Sequence, residues 1–251
     1  MISTIHPTAI ISHKSTIGTG VSIGPYSIIH DGVSLGDNSK VGSNCELGIN
    51  TKLTKKKSLI FSANSNIRSH SIFYLGSKFD ENLETGHRVT VREGVDGGKN
   101  LRIGTLTDIQ GDCRIGNYVR IHSNVHIGKH SMIDDFVWLF PYCVLTNDPH
   151  PPSDERQGVI LKKYAVISTM SVILPGVIVG SGALLGAHSL LSKNIPENFL
   201  AAGNPAKVIC NVSKVKLKSN QSHSAYPWRR HYYSGYPVDV VEEWKAEFNL
   251  S

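Results

Sequence analysis

Aliphatic residues recur at every sixth position over most of this 251-residue chain, and this period restricts the fold more than any other feature. A first ladder runs from Ile5 to Leu53, a second from Ile103 to Leu145 and a third from Ile167 to Leu191. A period of six fits neither an α-helix nor a plain strand. It is typical of a parallel β-helix, in which each short strand fills one face of a coil and a turn follows.

Stacking of the coils makes a prediction about side chains on the outside. Three six-residue repeats make one coil, so residues three repeats apart should lie on neighbouring strands, about 4.8 Å from each other. Asp108 and His126 are separated in this way, and each directly precedes a ladder residue. Both should therefore point outward, where the carboxylate could orient the imidazole and favour its charged form.

One segment within the ladder cannot continue the coil. Residues Thr146 to Gly158 contain three prolines and several polar residues, so we predict a loop of about residues 146–160 that leaves the coil. The ladder is also poorly kept over residues 54–88, where we expect coiling with irregular corners and a charged turn at Lys55–Lys57. Insertions in solenoids commonly collect on the binding face, so the mid-chain loop is a candidate for function.

The C-terminal part has a different composition. Coiling is expected to end near Ile195-Pro196, after which a polar linker, an aromatic and basic segment and a short helix from Val238 to Phe248 follow. We therefore predict a β-helix domain over residues 1–210 and a tail over residues 211–251.

Composition narrows the partners. A net charge of +6 favours anionic partners such as coenzyme A and nucleotide-sugars. The basic residues are dispersed and no nucleic-acid-binding motif is present, so nucleic acid is not predicted. No apolar run is long enough for a membrane span, and the N-terminal residues do not have the pattern of a signal peptide.

The four cysteines have no metal-ligand spacing. Cys45, Cys113 and Cys143 each precede a ladder residue by two positions, which predicts that they point inward and pack in the core. Free buried thiols suit a reducing compartment, and we expect the protein in the cytoplasm.

The ladder, the mid-chain loop and the closing segment Gly203-Asn204-Pro205-Ala206-Lys207 together resemble the hexapeptide-repeat acyltransferases over about residues 1–210. This resemblance implies an all-β fold, a left-handed parallel β-helix with a protruding loop and a short, partly helical tail. It also implies a homotrimer with active sites between subunits, and acyl-CoA as the donor.

Two shorter segments, Gly104–Asp112 and Leu145–Pro149, are similar to nucleotide-sugar N-acetyltransferases of bacterial surface-glycan biosynthesis, such as that of lipopolysaccharide. This similarity implies transfer of an acetyl group from acetyl-CoA to the amine of a nucleotide-linked amino-dideoxy sugar. Sugar O-acetyltransferases place a His-Pro pair in the mid-chain loop, as in His150-Pro151, so O-acetylation is the alternative. A non-catalytic β-helix scaffold is a further alternative, against which the polar, proline-rich loop argues.

Acyl transfer needs a base for the nucleophile, and histidine suits this role because its ordinary pKa lies near 6.5. His126, oriented by Asp108, is the first candidate base, and His150 in the loop is its rival. A zinc site at His122, His126 and His130 is not expected, because zinc needs convergent ligands and this spacing puts the rings on different parts of the coil. We predict no metal.

The remaining candidate site residues depend mostly on the resemblance. It implies that Asn147 contacts the sugar of the acceptor. The stacking interval adds Glu93, which shares an outward column with Asn147, and Asp148, whose column could instead be a structural ion-pair array. His122, directly after the ladder residue Ile121, is a further acceptor-binding candidate that could equally be a surface histidine.

The resemblance also implies that Ser168, Thr169, Gly186 and Ala187 line the pantetheine arm, where small residues permit close approach. Lys193 and Lys207 could pair with the coenzyme phosphates as point charges, or be solvated surface residues.

Overall fold

A computed structural model describes residues 3–250; residues 1, 2 and 251, at the outer ends of the two predicted domains, lie outside it. The first strands in chain order are β1 (Thr4–Ile5), β2 (Ile10–Ile11), β3 (Thr16–Ile17), β4 (Ser22–Ile23), β5 (Ile28–Ile29), β6 (Val33–Leu35), β7 (Lys40–Val41), β8 (Glu46–Ile49), β9 (Leu59–Phe61), β10 (Asn66–Ile67), β11 (Ile72–Tyr74), β12 (Lys78–Phe79), β13 (Glu84–Thr85), β14 (Thr90–Val91) and β15 (Asp96–Gly97). The chain continues with β16 (Arg102–Ile103), β17 (Asp108–Ile109), β18 (Arg114–Ile115), β19 (Arg120–Ile121), β20 (His126–Ile127), β21 (Met132–Ile133), β22 (Trp138–Leu139), β23 (Val144–Leu145), β24 (Ile160–Leu161), β25 (Val166–Ile167), β26 (Val172–Ile173), β27 (Ile178–Val179), β28 (Leu184–Leu185), β29 (Leu190–Leu191), β30 (Phe199–Gly203) and β31 (Ala206–Asn211). Two 3-10 helices, Val212–Lys214 and Trp228–Arg230, precede the helix α1 (Val238–Glu247).

Every third strand joins the same sheet, so the chain winds through three parallel sheets in turn. We call them sheet A (from β1), sheet B (from β2) and sheet C (from β3), and name each corner by the two sheets it joins. Within the described residues they contain 12, 10 and 9 strands. The predicted all-β parallel β-helix is therefore confirmed, and its architecture is consistent with the left-handed form.

The ladder residues fill the inside of the coil. In most strands the second residue is buried and the first faces outward, as in Arg102–Ile103 and Asp108–Ile109. The position two residues before the ladder is also inward and accepts small polar side chains, because their hydroxyls find backbone carbonyls. Ser131 Oγ, for example, donates to the Gly128 carbonyl over 2.7 Å. Cys45, Cys113 and Cys143 are buried at this position, as predicted.

The first interruption of the ladder is a second excursion that the sequence analysis did not find. Leu53, expected on the ladder, is 53% exposed, and Leu47 pairs with Phe73, 26 residues on, where 18 is the regular interval. Residues 50–58 therefore leave the B/C corner, and the regular coil resumes at Leu59. After this point the irregularity expected over residues 54–88 is limited to β11, whose pairing with β8 shifts between Phe73 and Tyr74.

Beyond residue 59 the ladder positions are occupied by residues of very different size, which obscures the aliphatic pattern in the sequence. Phe61, Phe73 and Phe79 are fully buried and their ring centroids lie 5.2 to 5.5 Å apart. Gly97 occupies a ladder position in the next coil, where a Cβ would come within 2.6 Å of the Phe79 ring. A large residue on one coil is thus offset by a small one on the next.

The predicted mid-chain loop is confirmed. Ile133 pairs with Leu161, 28 residues on, so residues between β23 and β24 are extra to the coil. This loop leaves the same B/C corner as residues 50–58. The backbone N–H of Gln157 donates to the Asn147 carbonyl over 2.9 Å and closes the base of the loop.

The chain after β29 folds back along the coil. β30 extends sheet A and forms an antiparallel hairpin with β31. The predicted helix is present as α1, and its Val240 and Trp244 pack with Tyr118 and Phe136 of the C/A corner. Within residues 3–250, no helix combines the length and the apolar character needed to cross a membrane.

Candidate active site

The structure brings His126 and Asp108 together on the outer face of sheet B. They are register partners on β20 and β17, and the His126 Nδ1 to Asp108 Oδ2 distance is 3.1 Å. Their side chains are 43% and 36% exposed, so a ligand can reach them. When Nδ1 carries the proton shared with Asp108, the Nε2 lone pair is left for another partner.

Asp108 is suited to hold this ring in place. Burial alone raises the pKa of the Asp108 carboxyl, but hydrogen bonds from His126 and Gln110 and the charge of Arg92 outweigh burial and lower the pKa below its usual 3.8. The group is therefore a carboxylate at neutral pH. An ionised carboxylate on Nδ1 fixes one tautomer and stabilises the imidazolium after it accepts a proton.

Gln110 is a neighbour that the sequence analysis missed. Its Nε2 donates to Asp108 Oδ2, the oxygen that also contacts His126. Gln110 directly follows the ladder residue Ile109, and residues in that position also face outward. The stacking rule could therefore have placed it beside Asp108.

Three of the four residues expected at the pantetheine arm lie together at the A/B corner. Ser168, Thr169 and Ala187 line one cavity of about 410 Å³. The corner stacks regularly, since His188 N–H donates to the Thr169 carbonyl and Met170 N–H donates to the Pro141 carbonyl. Further wall residues are Trp138, Phe140, Val166, Tyr226, Trp228 and Tyr232.

Most of this wall is apolar, and part of it comes from the tail. Trp228 and Tyr232 lie edge-on to Trp138 with centroid separations of 5.8 and 5.4 Å. The composition of the tail predicts its aromatic segment but not this position. Its position depends on docking between side chains, which the six-residue period does not encode.

The other expected donor residues are more dispersed. Gly186 lies beside β30, where an added Cβ would come within 2.8 Å of the Ala202 Cβ, so glycine is needed for packing. Lys193 follows β29 at the B/C side, and Lys207 lies on the exposed hairpin strand β31. The structure therefore does not bring either lysine to the cavity wall.

The residues expected to bind the acceptor are also separated. His122 lies on sheet A, stacked on Phe140 with centroids 4.7 Å apart. Burial, and to a lesser degree the charge of Arg120, lowers the pKa of His122 below 6.5, so its ring is neutral at neutral pH. Glu93 and Asn147 lie at the opposite B/C corner.

At that corner the carboxylates already have partners within the chain. Glu93 is buried and accepts hydrogen bonds from Thr51 and Arg92; burial raises its pKa, yet these bonds leave it lowered overall. Asp148 accepts from Ser153 Oγ at 2.7 Å, which lowers its pKa and organises the loop.

His150 is exposed in the loop, and its backbone N–H donates to Asp148. The described residues contain no group of three or more His, Cys, Asp or Glu side chains that could hold a metal ion.

Comparison with known sequences agrees with this architecture. The family model described as bacterial transferase hexapeptide (six repeats) matches residues 14–48. Residues 14–48 thus match the hexapeptide repeat of bacterial transferases. The expected resemblance to the hexapeptide-repeat acyltransferases is thereby confirmed.

Curated relatives of this hexapeptide-repeat chain include both O- and N-acetyltransferases. Galactoside O-acetyltransferase of Escherichia coli (strain K12) is 30% identical over 118 residues, 38% of this chain and 58% of that protein. The dTDP-3-amino-3,6-dideoxy-alpha-D-galactopyranose 3-N-acetyltransferase of Aneurinibacillus thermoaerophilus is 43% identical over 67 residues, 25% of this chain and 35% of that protein. The chain thus spans about half the length, or less, of these relatives.

A solved structure shares the fold over nearly the whole chain. The UDP-N-acetylglucosamine acyltransferase from Campylobacter jejuni superposes with a TM-score of 0.53, covering 98% of this chain and 83% of that one. Sequence identity is 17%, so this likeness concerns the fold alone.

Proposed function

We propose that the protein transfers an acetyl group from acetyl-CoA to the amine of a nucleotide-linked amino-dideoxy sugar. The observation that carries this proposal is the His126–Asp108 pair on sheet B, next to the A/B corner that also carries Ser168, Thr169 and Ala187. A candidate base and a candidate donor wall thus share one edge of the coil.

In the proposed reaction His126 Nε2 accepts the proton of the amine while the nitrogen attacks the thioester carbonyl. The C–N bond forms, the C–S bond breaks, and the proton passes from the imidazolium to the departing thiolate. Asp108 remains ionised and stabilises the imidazolium between these two steps. The 3.1 Å contact between Asp108 Oδ2 and His126 Nδ1 supports these roles, because it leaves Nε2 on the other side of the ring for the amine.

The apolar cavity fits the pantetheine arm better than it fits the sugar. The arm would run along Ser168, Thr169 and Ala187, where side chains are small, with Gly186 permitting close packing beneath it. Lys193 and Lys207 lie outside this cavity wall and are retained only as exposed charges for the coenzyme phosphates. The aromatic tail would exclude water from the thioester.

An amine acceptor is favoured by the relative with the higher identity, which acts on a dTDP-linked 3-amino sugar. We retain His122 and Asn147 as acceptor contacts supplied by different copies of the chain, because they lie on opposite sides of the coil. For Glu93 and Asp148 we propose an indirect role, because their carboxylates already anchor residues 50–58 and the mid-chain loop.

We further propose that the enzyme works as a homotrimer in the cytoplasm. Sheets B and C, whose faces the tail leaves uncovered, would meet a neighbouring subunit, and His122 and His126 would then border a cleft between copies. The mid-chain loop would reach over that cleft from the B/C corner.

The test is coenzyme A release from acetyl-CoA in the presence of nucleotide-linked amino sugars. His126→Ala should lower turnover by roughly 10²–10⁴-fold, and Asp108→Asn should lower it less. His13→Ala is the matched control, because His13 is an exposed histidine in the first coil.

Other outcomes would contradict parts of the proposal. Wild-type turnover in His126→Ala together with loss in His150→Ala would move the base to the loop. Release of coenzyme A with sugar hydroxyls but not with amines would establish O-acetylation, to which the galactoside relative and His150-Pro151 point. No release with any acceptor would leave the scaffold alternative.

A further inference from the structure

A groove on the outer face of sheet A concentrates positive charge. Arg68, Arg102 and Arg120 border a space of about 370 Å³ next to the A/B corner. Arg102 and Arg120 are register partners on β16 and β19, so two guanidinium groups lie on neighbouring strands. The one carboxylate among the groove residues is Glu84, which contacts Arg68 at 3.0 Å and Arg102 at 3.5 Å.

The tail holds one of these arginines in place. Arg120 Nη2 donates to the Gly235 carbonyl over 2.7 Å, and its guanidinium lies 4.4 Å from the Tyr236 ring centre and 5.2 Å from that of Trp138. Its side chain is buried, while that of Arg102 is 47% exposed. The Arg120 guanidinium is therefore held in place, whereas the Arg102 side chain, which pairs with Glu84 at 3.5 Å, is exposed enough to reach a ligand.

The groove continues into the aromatic cavity. Trp138 and Tyr232 line both spaces, and Tyr232 is exposed. Trp138 lies two strands from Arg102, which corresponds to about 10 Å at the usual strand spacing. An anionic group on the arginines and a planar ring against Trp138 and Tyr232 could thus belong to one molecule.

We propose that this continuous groove binds a nucleoside diphosphate, with the diphosphate on Arg102 and Arg120 and the base against Trp138 and Tyr232. Arginine recognises phosphate oxygens through paired hydrogen bonds, and aromatic side chains stack on nucleobases. The proposal rests on the proposed function, since both the acceptor and coenzyme A contain a nucleoside diphosphate. If the acceptor is the ligand, Thr169 and Ala187 remain available to the pantetheine arm.

The experiment measures binding, without turnover, by isothermal titration calorimetry on the full chain at fixed salt. The probes are UDP, dTDP, ADP and coenzyme A. Arg102→Ala should weaken binding of at least one probe about 10- to 100-fold, the effect of losing one or two charged hydrogen bonds. Tyr232→Ala should weaken the same probe.

Arg114→Ala is the matched control. Arg114 is an exposed arginine of the same coil, first in its strand like Arg102, but it lies on sheet C. The Arg114→Ala variant should bind all four probes with wild-type affinity. Circular dichroism should be unchanged in all three variants, because each side chain lies outside the coil.

If Arg102→Ala and Tyr232→Ala weaken only the binding of UDP or dTDP, the groove belongs to the acceptor. If they weaken only the binding of ADP and coenzyme A, it belongs to the donor. Either result supports the site. Wild-type affinity for every probe in Arg102→Ala and Tyr232→Ala would overturn it, as would no binding to the wild type at millimolar probe. Repeating the titration with His126→Ala separates the two proposals. If His126→Ala binds the probes but does not transfer the acetyl group, the groove proposal stands independently of the base. If Arg102→Ala binds every probe like the wild type and still transfers the acetyl group, the groove proposal alone fails.

Discussion

The coil and the segment that follows it bury hydrophobic residues in different ways. In the coil, buried residues recur at a fixed interval and contact the equivalent residues above and below. After β31 the six-residue interval ends: Tyr236, Val240 and Trp244 are buried four residues apart, against the outside of the C/A corner. The coil is therefore stabilised by many similar neighbour contacts, while the tail depends on two docked clusters, one at the C/A corner and one on the outer face of sheet A.

The two regions also contribute differently to the proposed chemistry. The coil supplies His126 and Asp108, whose separation is fixed by strand register. The tail supplies Trp228 and Tyr232, which complete a cavity whose other wall belongs to the coil. Substitutions that disrupt the coil should remove both the His126–Asp108 pair and the cavity. Substitutions that release the tail should affect the cavity and the arginine groove first.

The largest effect is expected in the coil interior. Phe73→Ala removes a fully buried ring packed against Phe61 and Phe79, so the free energy of unfolding should fall by about 3–5 kcal/mol. Urea unfolding followed by circular dichroism measures this change. Ile60→Ala, at an exposed outward position next to Phe61, is the control and should change it by less than about 0.5 kcal/mol. Equal effects would mean that the coil interior is not the main source of stability.

A smaller effect on global unfolding is expected from the tail. Trp244 is 2% exposed, but Trp244→Ala should release the tail before it unfolds the coil. The main urea transition should stay within about 0.5 kcal/mol of wild type, while limited proteolysis after residue 212 becomes faster. Val238→Ala, at the exposed start of α1, should leave both unchanged. A large shift of the main transition would show that coil and tail unfold together.

The same contrast explains what the sequence could predict. The ladder and the stacking interval were enough for the coil, for the inward cysteines and for the contact between Asp108 and His126. Residues 50–58 were missed because Leu53 continues the spacing by chance, and an insertion is visible only once the next coil is in register. The shift in register after residues 50–58 is hard to detect from the six-residue period, because Phe61, Phe79 and Gly97 replace aliphatic residues at later ladder positions.

The charged side of the arginine groove could have been predicted from the sequence. Glu84, Arg102, Arg120 and Trp138 form one outward column by the stacking interval. The aromatic side of the groove could not, because Tyr232 reaches it through docking of a tail that has no repeat. Long-range packing of that kind depends on surface complementarity and leaves no local pattern.

A pH-dependent effect, absent at neutral pH, should distinguish the coil interior from the exterior. Burial raises the pKa of the Cys113 and Cys143 thiols from 9.0 to about 11. The folded chain thus binds these protons more tightly than the unfolded chain. The stabilisation is fully present below pH 9 and declines as the pH rises towards 11, by about 1 kcal/mol per thiol at pH 10.

Serine replaces cysteine conservatively at these inward positions, since Ser131 already occupies one of them. The Cys113→Ser, Cys143→Ser double variant should therefore lose less stability than the wild type between pH 8 and pH 10, as measured by urea midpoints at both values. Cys210→Ser, in the hairpin outside the coil, is the matched control and should keep the wild-type slope. Parallel pH profiles for the wild type and the double variant would mean that water reaches the coil interior, and the contrast between coil and tail would then rest on packing alone.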